Sequence, residues 1–317
     1  MKFKNFVFLF LLACLFLSCG SLRNEVDPSQ LGVESAKLVV SSFLSPQDTT
    51  LAVKVTRSAT VVGDSINLLQ TGNTITDAIV TLSEGSKSVT LPYNNVSKSD
   101  TARSHPYYSV DARLLPIIAG HTYTLTVVTA NGQRATSTCT IPAAVQPKDI
   151  VLDSLNRRYF IRANWQDPVG QVNYYQAAGI FRYILTSCKS CQLSTNDNLS
   201  FDDDNRGLFT DAGLDGSIMF SGRAYLTPSG QQANFYSQYK TASVLVNLMS
   251  VDQAYYHYQE AVIRQRRSRN NPFAEPVLIP SNITGGLGCF VGDKNAVLTR
   301  RAKSTIPDLH GRSGLAT

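Results

Sequence analysis

Residues 121–141 read HTYTLTVVTANGQRATSTCTI, and this stretch decides the fold class. Apolar and polar side chains alternate along Tyr123–Val127 with a period of two, which is typical of a half-buried strand. The pair Asn131-Gly132 follows, and both residue types accept positive φ, so it predicts a hairpin turn. Arg134–Thr140 then supplies the returning strand. The stretch therefore predicts antiparallel β structure.

The same alternation extends towards the N-terminus. Turn residues such as Pro116 and Gly120 separate short segments rich in Val, Thr, Ser and Tyr, which favour strands. Besides the hairpin segments His121–Ala130 and Gln133–Ile141, the predicted strands are Leu38–Leu44, Thr50–Arg57, Ile75–Leu82, Ser88–Leu91 and Tyr107–Val110. About seven short strands in this space predict an immunoglobulin-like β-sandwich over residues 36–142.

A short Ala/Pro linker leads to a second β-rich region, predicted over residues 148–303. Its strand Tyr159–Trp165 ends in Trp165-Gln166-Asp167-Pro168, and a tryptophan just before an Asp-Pro turn is similar to a fibronectin type III domain. The predicted fold class is therefore mainly β, with an immunoglobulin-like sandwich followed by a fibronectin type III-like domain that contains one helix. Residues 304–317 are predicted to form a tail.

The single helix is predicted near residues 251–268. Ser250 and Gln253 are spaced as a capping box, in which each side chain satisfies a backbone donor of the other residue. One apolar stripe at helical spacing follows the cap and predicts the buried face, formed by Tyr255, Tyr258 and Val262.

The N-terminus predicts a lipoprotein signal peptide over residues 1–18. Lys2 and Lys4 provide a positive start, and Phe6–Leu17 forms an apolar run. Because that run is shorter than the roughly 20 residues that a membrane-spanning helix needs, we expect membrane attachment to come from lipid.

The expected lipidation site is Cys19, which follows Leu17-Ser18. Cleavage there uses the whole apolar run and leaves a polar tether at residues 19–35. Cys14 is the alternative, since Leu11 stands three residues before it, but its use would leave apolar residues exposed beside the lipid. The sequence thus predicts an acyl anchor in a bacterial membrane.

The charge of the chain argues against nucleic acid as a partner. Removal of residues 1–18 takes away Lys2 and Lys4 and no acidic residue, so the formal charge falls from +6 to +4. The densest basic run, Arg264–Arg269, has no interleaved aromatic residues and stands at the expected C-terminal end of the helix, where the helix dipole favours cations.

Four cysteines lie beyond the anchor: Cys139, Cys188, Cys191 and Cys289. Disulfides are expected in an oxidising compartment, and Cys188 and Cys191 are the candidates for a local bridge. Free buried thiols are the alternative, and the pairing among the four cysteines stays open. A zinc site is disfavoured, because the sequence has neither a second Cys-x-x-Cys nor a His pair at ligand spacing.

An acidic loop provides the only candidates for metal ligands, all of them weak: Asp202, Asp204, Asp211 and Asp215. Residues 202–207 begin like an EF-hand, but Arg206 and Gly213 stand at positions five and twelve, where oxygen ligands are needed. A looser calcium site stays open, although a solvated acidic loop is the preferred interpretation and no cofactor is predicted.

Catalytic residues are not predicted. The sequence contains neither Gly-x-Ser-x-Gly nor His-Glu-x-x-His, and its four histidines fall on separate elements. The stretch Gly285-Gly286-Leu287-Gly288 lacks the Lys-Ser/Thr of a phosphate-binding loop and no helix follows it, so its glycines are interpreted as a tight turn.

Four segments carry a family resemblance, and the last is the most specific: Leu38–Pro46, Gly120–Leu125, Trp165–Pro168 and Ser281–Gly288. Together they resemble the domain-of-unknown-function family 4249 of outer-membrane lipoproteins over nearly the whole mature chain. The resemblance implies a two-part β-rich protein of the outer membrane with no established activity. Because such proteins are often encoded beside TonB-dependent receptors, it also implies a receptor of that class as partner.

The resemblance carries one further implication. Bacteria whose envelopes carry such lipoproteins O-glycosylate Asp-Ser/Thr-apolar (or Thr) triplets, and four such triplets occur here. The expected glycan-bearing residues are Thr49, Ser65, Thr101 and Ser154.

Taken together, these features predict a non-enzymatic binding or accessory lipoprotein of the outer membrane that works beside a TonB-dependent receptor. One alternative is an envelope hydrolase, with or without a metal, that uses the loop at Asp197–Asp215. The other alternative is a structural scaffold of the envelope with no small ligand.

Overall fold

A computed structural model describes residues 36–58, 73–94, 106–156, 158–190, 193–202, 207–226, 238–269, 271, 273–275 and 277–301. The lipidation candidates Cys14 and Cys19 lie outside these ranges. Of the described residues, all but Ala36, Ser58 and Asn73 belong to one unit, formed by Lys37–Arg57 and Thr74–Thr317.

The described part of the chain is mainly β, as the sequence predicts, with one α-helix, α1 (Gln253–Ser268). The strands are β1 (Leu38–Leu44), β2 (Thr50–Arg57), β3 (Ile79–Glu84), β4 (Lys87–Leu91), β5 (Tyr93–Asn94), β6 (Tyr107–Asp111), β7 (Thr122–Val128), β8 (Arg134–Thr140), β9 (Pro147–Leu155), β10 (Arg158–Gln166), β11 (Tyr174–Leu185), β12 (Thr195–Leu199), β13 (Leu208–Thr210), β14 (Ile218–Phe220), β15 (Ala224–Tyr225), β16 (Tyr239–Val251) and β17 (Leu287–Arg301).

The first region contains two layers that share one hydrophobic core. One layer has the strand order β4-β3-β7-β8, and the other contains β1, β2, β6 and β5. Buried side chains from both layers form a single cluster, including Val40, Val53, Leu82 and Leu125. The arrangement is consistent with a β-sandwich, while its assignment to the immunoglobulin-like class stays a prediction.

The β7–β8 hairpin forms where the sequence predicts it, with Thr122 opposite Thr140. Its turn differs in detail, because positive φ occurs at Gly132 and not at Asn131. Gly132 donates its N–H to Thr129 at 2.9 Å, and the Asn131 side chain accepts from the Thr129 hydroxyl. The asparagine therefore acts through its side chain and the glycine through its backbone.

The second region also has two layers. β10 pairs with β9 on one side and with β14 and β15 on the other, and β11 and β16 form the long central ladder of the opposing layer. Trp165 is fully buried against Tyr175 and Phe209 with edge-on ring contacts, as expected for a core tryptophan. The fibronectin type III-like assignment is not decided by this packing and stays a prediction.

The strand β17 joins the two regions into a nine-stranded sheet. It runs antiparallel to β16 on one side and parallel to β1 on the other. The sequence predicts a final strand only at Ala296–Arg300, whereas the observed strand begins at Leu287. The sequence does not predict the first part of β17, because the glycines there normally weaken a strand.

Those glycines permit a close approach of backbones. Gly288 has φ of 114°, and a Cβ there would overlap the carbonyl oxygen of Val40 in β1. A Cβ on Gly286 would lie 2.6 Å from the carbonyl oxygen of Leu38. We refer to this contact of residues 286–288 with β1 as the glycine seam. It explains the glycines by packing, with no ligand needed.

The helix begins later than predicted. β16 continues to Val251, so the N-cap is Asp252, whose Oδ1 accepts from the Tyr255 N–H at 2.7 Å. Ser250 instead accepts from the Val145 N–H through its hydroxyl. The predicted capping box is therefore wrong. The sequence pattern does not show that β16 continues through Ser250.

The buried face of α1 also differs from the predicted stripe. Tyr255 is buried as expected, whereas Tyr258 and Val262 are only half-buried. The other buried helical residues are Tyr256, Ala261 and Ile263. Across the described ranges, no helix has the length and hydropathy to cross a membrane.

Candidate functional site

A groove of about 430 Å³ opens between β8, the start of α1 and the segment before β17. We call it the β8 groove. Its walls come from distant parts of the chain: Thr138–Thr140, Asp252–Ala254, His257, Tyr258, Pro280–Asn282 and Cys289. The sequence did not predict it, because no motif links these segments.

One wall of the β8 groove is a strand edge. β8 is the last strand of its sheet, and among the described residues the backbone pairing on its outer edge is the isolated bridge of Thr136 with Thr284. Thr136 and Thr284 exchange both backbone hydrogen bonds, at 2.9 and 2.8 Å. Because outward-facing backbone groups alternate along a strand, the N–H and C=O of Thr138 also face outwards, into the groove.

The opposite wall is held rigid by Asn282. Its Nδ2 donates to the Phe290 carbonyl, and its Oδ1 accepts from the Phe290 N–H at 2.9 Å, so the side chain imitates a paired strand residue. The Ser137 hydroxyl donates to the Asn282 carbonyl at 2.7 Å and ties this wall to β8. The segment with the most specific family resemblance thus builds both the glycine seam and the groove wall.

Asp252 lines the β8 groove. Besides capping α1, it accepts from the Gly292 N–H through Oδ2 at 2.8 Å and so links the helix to β17. Burial raises the pKa of Asp252, and the backbone N–H groups of Tyr255 and Gly292 partly oppose that rise. Both carboxylate oxygens are engaged in structural bonds, which does not suit a general base.

Two free thiols, Cys139 and Cys289, line the groove and are buried. Burial raises the pKa of Cys139 far above its usual range, and it raises the pKa of Cys289 to about 11. A nucleophilic cysteine must instead be a thiolate near neutral pH. Neither of these two thiols is therefore an activated nucleophile.

His257 is the histidine of the groove, and aromatic rings flank it. Its ring lies 6.0 Å from that of Tyr174 and 5.5 Å from that of Tyr256. Its Nδ1 stands 3.9 Å from the Glu260 carboxylate, one turn along the helix. The groove offers hydroxyls, an imidazole and free backbone groups, which suits recognition of a polar, extended ligand.

A second cluster unites three aspartates at one end of the second region. One carboxylate oxygen from each of Asp167, Asp211 and Asp215 lies within 4.8 Å of the others, and the first two residues are buried. Oxygen ligands in such a group are the kind that calcium takes. These three residues could hold a cation, and we call them the aspartate cluster.

Hydrogen bonds from the protein also satisfy the aspartate cluster. Asp167 accepts from the Tyr175 hydroxyl at 2.6 Å and from the Gly216 N–H at 3.0 Å. Asp211 accepts from the Asn173 N–H and Asp215 from the Gly170 N–H, at 2.8 and 2.9 Å. The carboxylates therefore tie the loop at 167–173 to the loop at 211–216, whether or not a cation binds.

The hydroxyl of Tyr175 has no exposure to solvent. Burial and the hydrogen bond to Asp167 raise the pKa of Tyr175 well above its usual range, so it stays a donor at any physiological pH. At the tips of the two tied loops, apolar side chains are left exposed, namely Val169, Val172 and Leu214.

With the fold and both clusters described, a comparison with protein families gives one match. The model for "Domain of unknown function (DUF4249)" matches residues 23–297, most of the chain. The chain belongs to the DUF4249 family. A comparison with curated proteins finds no match. The family resemblance noted from the sequence is thus confirmed, and its most specific segment forms the glycine seam and a wall of the β8 groove.

In this DUF4249 protein, the four predicted metal ligands have three different outcomes. Asp211 and Asp215 come together, but Asp202 is exposed elsewhere and accepts from the Arg223 N–H at 2.6 Å. Asp204 lies outside the described residues. The sequence missed Asp167, because only the pairing of Gln166 with Ile218 brings its turn to the other two aspartates.

The predicted modification sites are described only in part. Cys188 is disulfide-bonded, while its predicted partner Cys191 lies outside the described residues, so the local bridge stays a prediction. The glycosylation candidates Thr49 and Ser154 are both exposed, whereas Ser65 and Thr101 are also outside the described ranges.

Proposed function

We propose that this DUF4249 protein is a non-enzymatic binding or accessory lipoprotein of the outer membrane that works beside a TonB-dependent receptor. The β8 groove carries this proposal. It pairs a free strand edge with polar side chains, while its thiols are protonated and its carboxylate is engaged in structural bonds. Such a site supports binding without chemistry.

The strand edge indicates how a partner would bind. An extended segment of the receptor could add to β8 beyond the bridge of Thr136 with Thr284, using the backbone groups of Thr138. Main-chain hydrogen bonds would give affinity, and the groove wall at Pro280–Asn282 would select the side chains.

The alternative of a metal-assisted hydrolase draws on the aspartate cluster. A catalytic metal needs ligands together with an open position for water. Here each aspartate already accepts hydrogen bonds from the protein, which favours the role of tying two loops together. Tight, stoichiometric metal that survives dialysis and supports hydrolysis would favour the alternative instead.

Site-specific photo-crosslinking tests the proposed function. A photoreactive residue at position 138, on the free edge of β8, would be compared with one at Ser88 on β4, the opposite edge of the same sheet. The full-length lipoprotein would be crosslinked in the outer membrane of its own host, and the products identified by mass spectrometry.

A TonB-dependent receptor crosslinked from position 138 and not from position 88 is the expected result. Equal yields from both positions, or recovery of the protein alone, would refute a role at the groove and leave the structural scaffold as the better account. Substitution of Cys19 by serine is expected to abolish acyl labelling and release the protein from the membrane fraction, whereas Cys14→Ser leaves both unchanged.

A further inference from the structure

The outer face of the sheet formed by β9, β10, β14 and β15 carries three arginine–aromatic pairs. In each pair a guanidinium lies over the face of a ring, at distances from Cζ to the ring centroid that permit a cation–π contact. The pairs are Arg158 over Tyr225 at 4.0 Å, Arg162 over Phe220 at 5.1 Å and Arg223 over Phe160 at 5.3 Å.

Strand register places these residues on one face. Ile161, Ala163 and Trp165 of β10 are buried in the core, so the intervening residues, including Arg158 and Arg162, point away from it. Phe160 stands opposite Tyr225, and Asn164 stands opposite Phe220, which brings the aromatic rings to the same side. Two arginines four residues apart on a strand are about 13 Å apart. We call this surface the arginine face.

The guanidinium groups are oriented but keep donors to offer. No salt bridge to Arg158, Arg162 or Arg223 occurs within the described part of the chain. The Arg162 Nε donates to the Ser221 carbonyl at 3.1 Å, and stacking on the ring fixes its plane. A planar guanidinium held in this way presents its remaining N–H groups to a carboxylate in bidentate geometry.

The nearby acidic groups have other partners. Asp149 contacts Arg300 at 3.2 Å, Asp153 accepts from the Ser154 N–H at 2.7 Å, and Asp202 accepts from a backbone N–H. Arg300 neutralises Asp149, but Asp153 stands opposite Phe160 on this face and, like Asp202, keeps its negative charge when it accepts from a backbone N–H. The described part of the arginine face therefore carries three guanidinium groups against two carboxylates, which is a small positive excess.

Apolar side chains are exposed between the charged groups. Val151 is 38% exposed, Ile218 48% and Phe220 46%. Along this sheet surface, oriented guanidinium groups therefore alternate with exposed apolar side chains. A linear ligand with evenly spaced carboxylates and apolar ring faces would match both features.

We propose that the arginine face binds a linear acidic polysaccharide, with uronate carboxylates on the guanidinium groups and sugar ring faces on the apolar patches. Nucleic acid fits less well, because bases need open aromatic faces for stacking, and a guanidinium already covers a face of each ring here. A membrane surface fits less well too, because a flat sheet face presents no amphipathic helix to insert. This inference concerns a surface other than the β8 groove and does not depend on the proposed function.

Titration calorimetry of the full-length protein in detergent with oligogalacturonate tests the inference. Binding is expected at low salt and should weaken as salt rises, since charge pairs carry it. The double variant Arg162→Gln/Arg223→Gln is expected to bind at least tenfold more weakly. The matched control Arg266→Gln/Arg267→Gln removes the same charge from exposed positions on α1 and should bind within twofold of the parent.

A second variant separates the orientation of the guanidinium groups from their charge. Phe220→Ala keeps every arginine but removes the ring under Arg162, and it is expected to weaken oligogalacturonate binding several-fold at an unchanged thermal midpoint. No binding to oligogalacturonate, or equal weakening in the α1 control, would overturn the inference. So would tighter binding to a single-stranded oligonucleotide or to phosphatidylglycerol vesicles. Binding to uncharged dextran at equal strength would refute the role of the carboxylates.

Discussion

The glycine seam and the aspartate cluster both join segments that are distant in sequence, but they do so by opposite means. At the seam, side chains are absent so that β17 can approach β1. At the cluster, three carboxylates bridge the loops at 167–173 and 211–216 through backbone N–H groups. The first junction depends on shape, and the second depends on charge and hydrogen bonds.

The difference indicates which of the two junctions tolerates substitution better. A junction made by close backbone contact has no room for even a methyl group, because interiors do not yield easily. A junction made by hydrogen bonds loses them one at a time, each worth about 1 kcal/mol, or more where a charge is left buried. The following predictions separate the two cases, from the largest effect to the smallest.

Gly288→Ala tests the shape of the seam. The new Cβ would overlap the Val40 carbonyl at a positive φ, so we expect a loss of about 3–5 kcal/mol in the free energy of unfolding. Gly132→Ala is the matched control, since its φ of 83° is also positive but open space surrounds it. That variant should lose only about 1 kcal/mol in urea unfolding. Equal losses in the two variants would show that the positive φ, and not the close approach of the two backbones, accounts for the cost at Gly288.

Asp167→Ala tests the cluster. It removes the acceptor for both the Tyr175 hydroxyl and the Gly216 N–H, and we expect a loss of about 2–3 kcal/mol. Asp153→Ala, an exposed aspartate whose Oδ1 accepts from the adjacent N–H, should stay within about 0.5 kcal/mol of the parent by the same measurement. A stabilised Asp167 variant would show that repulsion among the carboxylates outweighs their hydrogen bonds.

Asp293, which lies further along β17 than the glycine seam, makes the stability of the protein sensitive to pH. Burial, with the nearby charges of Asp48 and Asp252, raises its pKa to about 6, and hydrogen bonds with Ser45 and Asn295 only partly oppose this. The folded state thus holds a proton that the unfolded state releases near pH 4, so stability should fall as pH rises from 4 to 6.

Asp293→Asn should flatten that slope and stabilise the protein at pH 7 by about 1–2 kcal/mol. Thermal melts at several pH values provide the measurement. An unchanged slope in the variant would assign the pH dependence to Asp48 or Asp252, whose pKa values burial also raises.

Tyr175→Phe is expected to have an effect no larger than that of Asp293→Asn. Loss of its hydroxyl leaves one oxygen of Asp167 without that donor, and we expect about 1–2 kcal/mol of destabilisation. A double-mutant cycle with Asp167→Asn should give a coupling energy of at least about 0.5 kcal/mol. Additive losses would indicate that the two groups act separately.

The sequence predicts local features well and junctions poorly. The hairpin at residues 122–140 follows from alternation and an Asn-Gly turn, both of which are local signals. The start of β17 could not be predicted, because glycines disfavour a strand and the sequence does not show which backbone lies beside them.

The same limit applied to the two candidate sites. Asp211 and Asp215 were identified from their loop, but Asp167 joins them only through the register of β10 with β14. The β8 groove gathers four separate stretches of chain and carries no motif. Ser281–Gly288 is the one segment of the groove that the family resemblance singled out. Its residues form one wall of the β8 groove.

The parallel pairing of β1 with β17 also sets an order of events during synthesis. β1 emerges first, yet Val39 meets its neighbour Leu287 only when nearly the whole described chain has appeared. Contacts so far apart in sequence form slowly, and until then one edge of β1 is open to wrong partners. A chaperone that shields the early strand would therefore raise the yield of correctly folded protein, and late truncations should aggregate rather than fold in part.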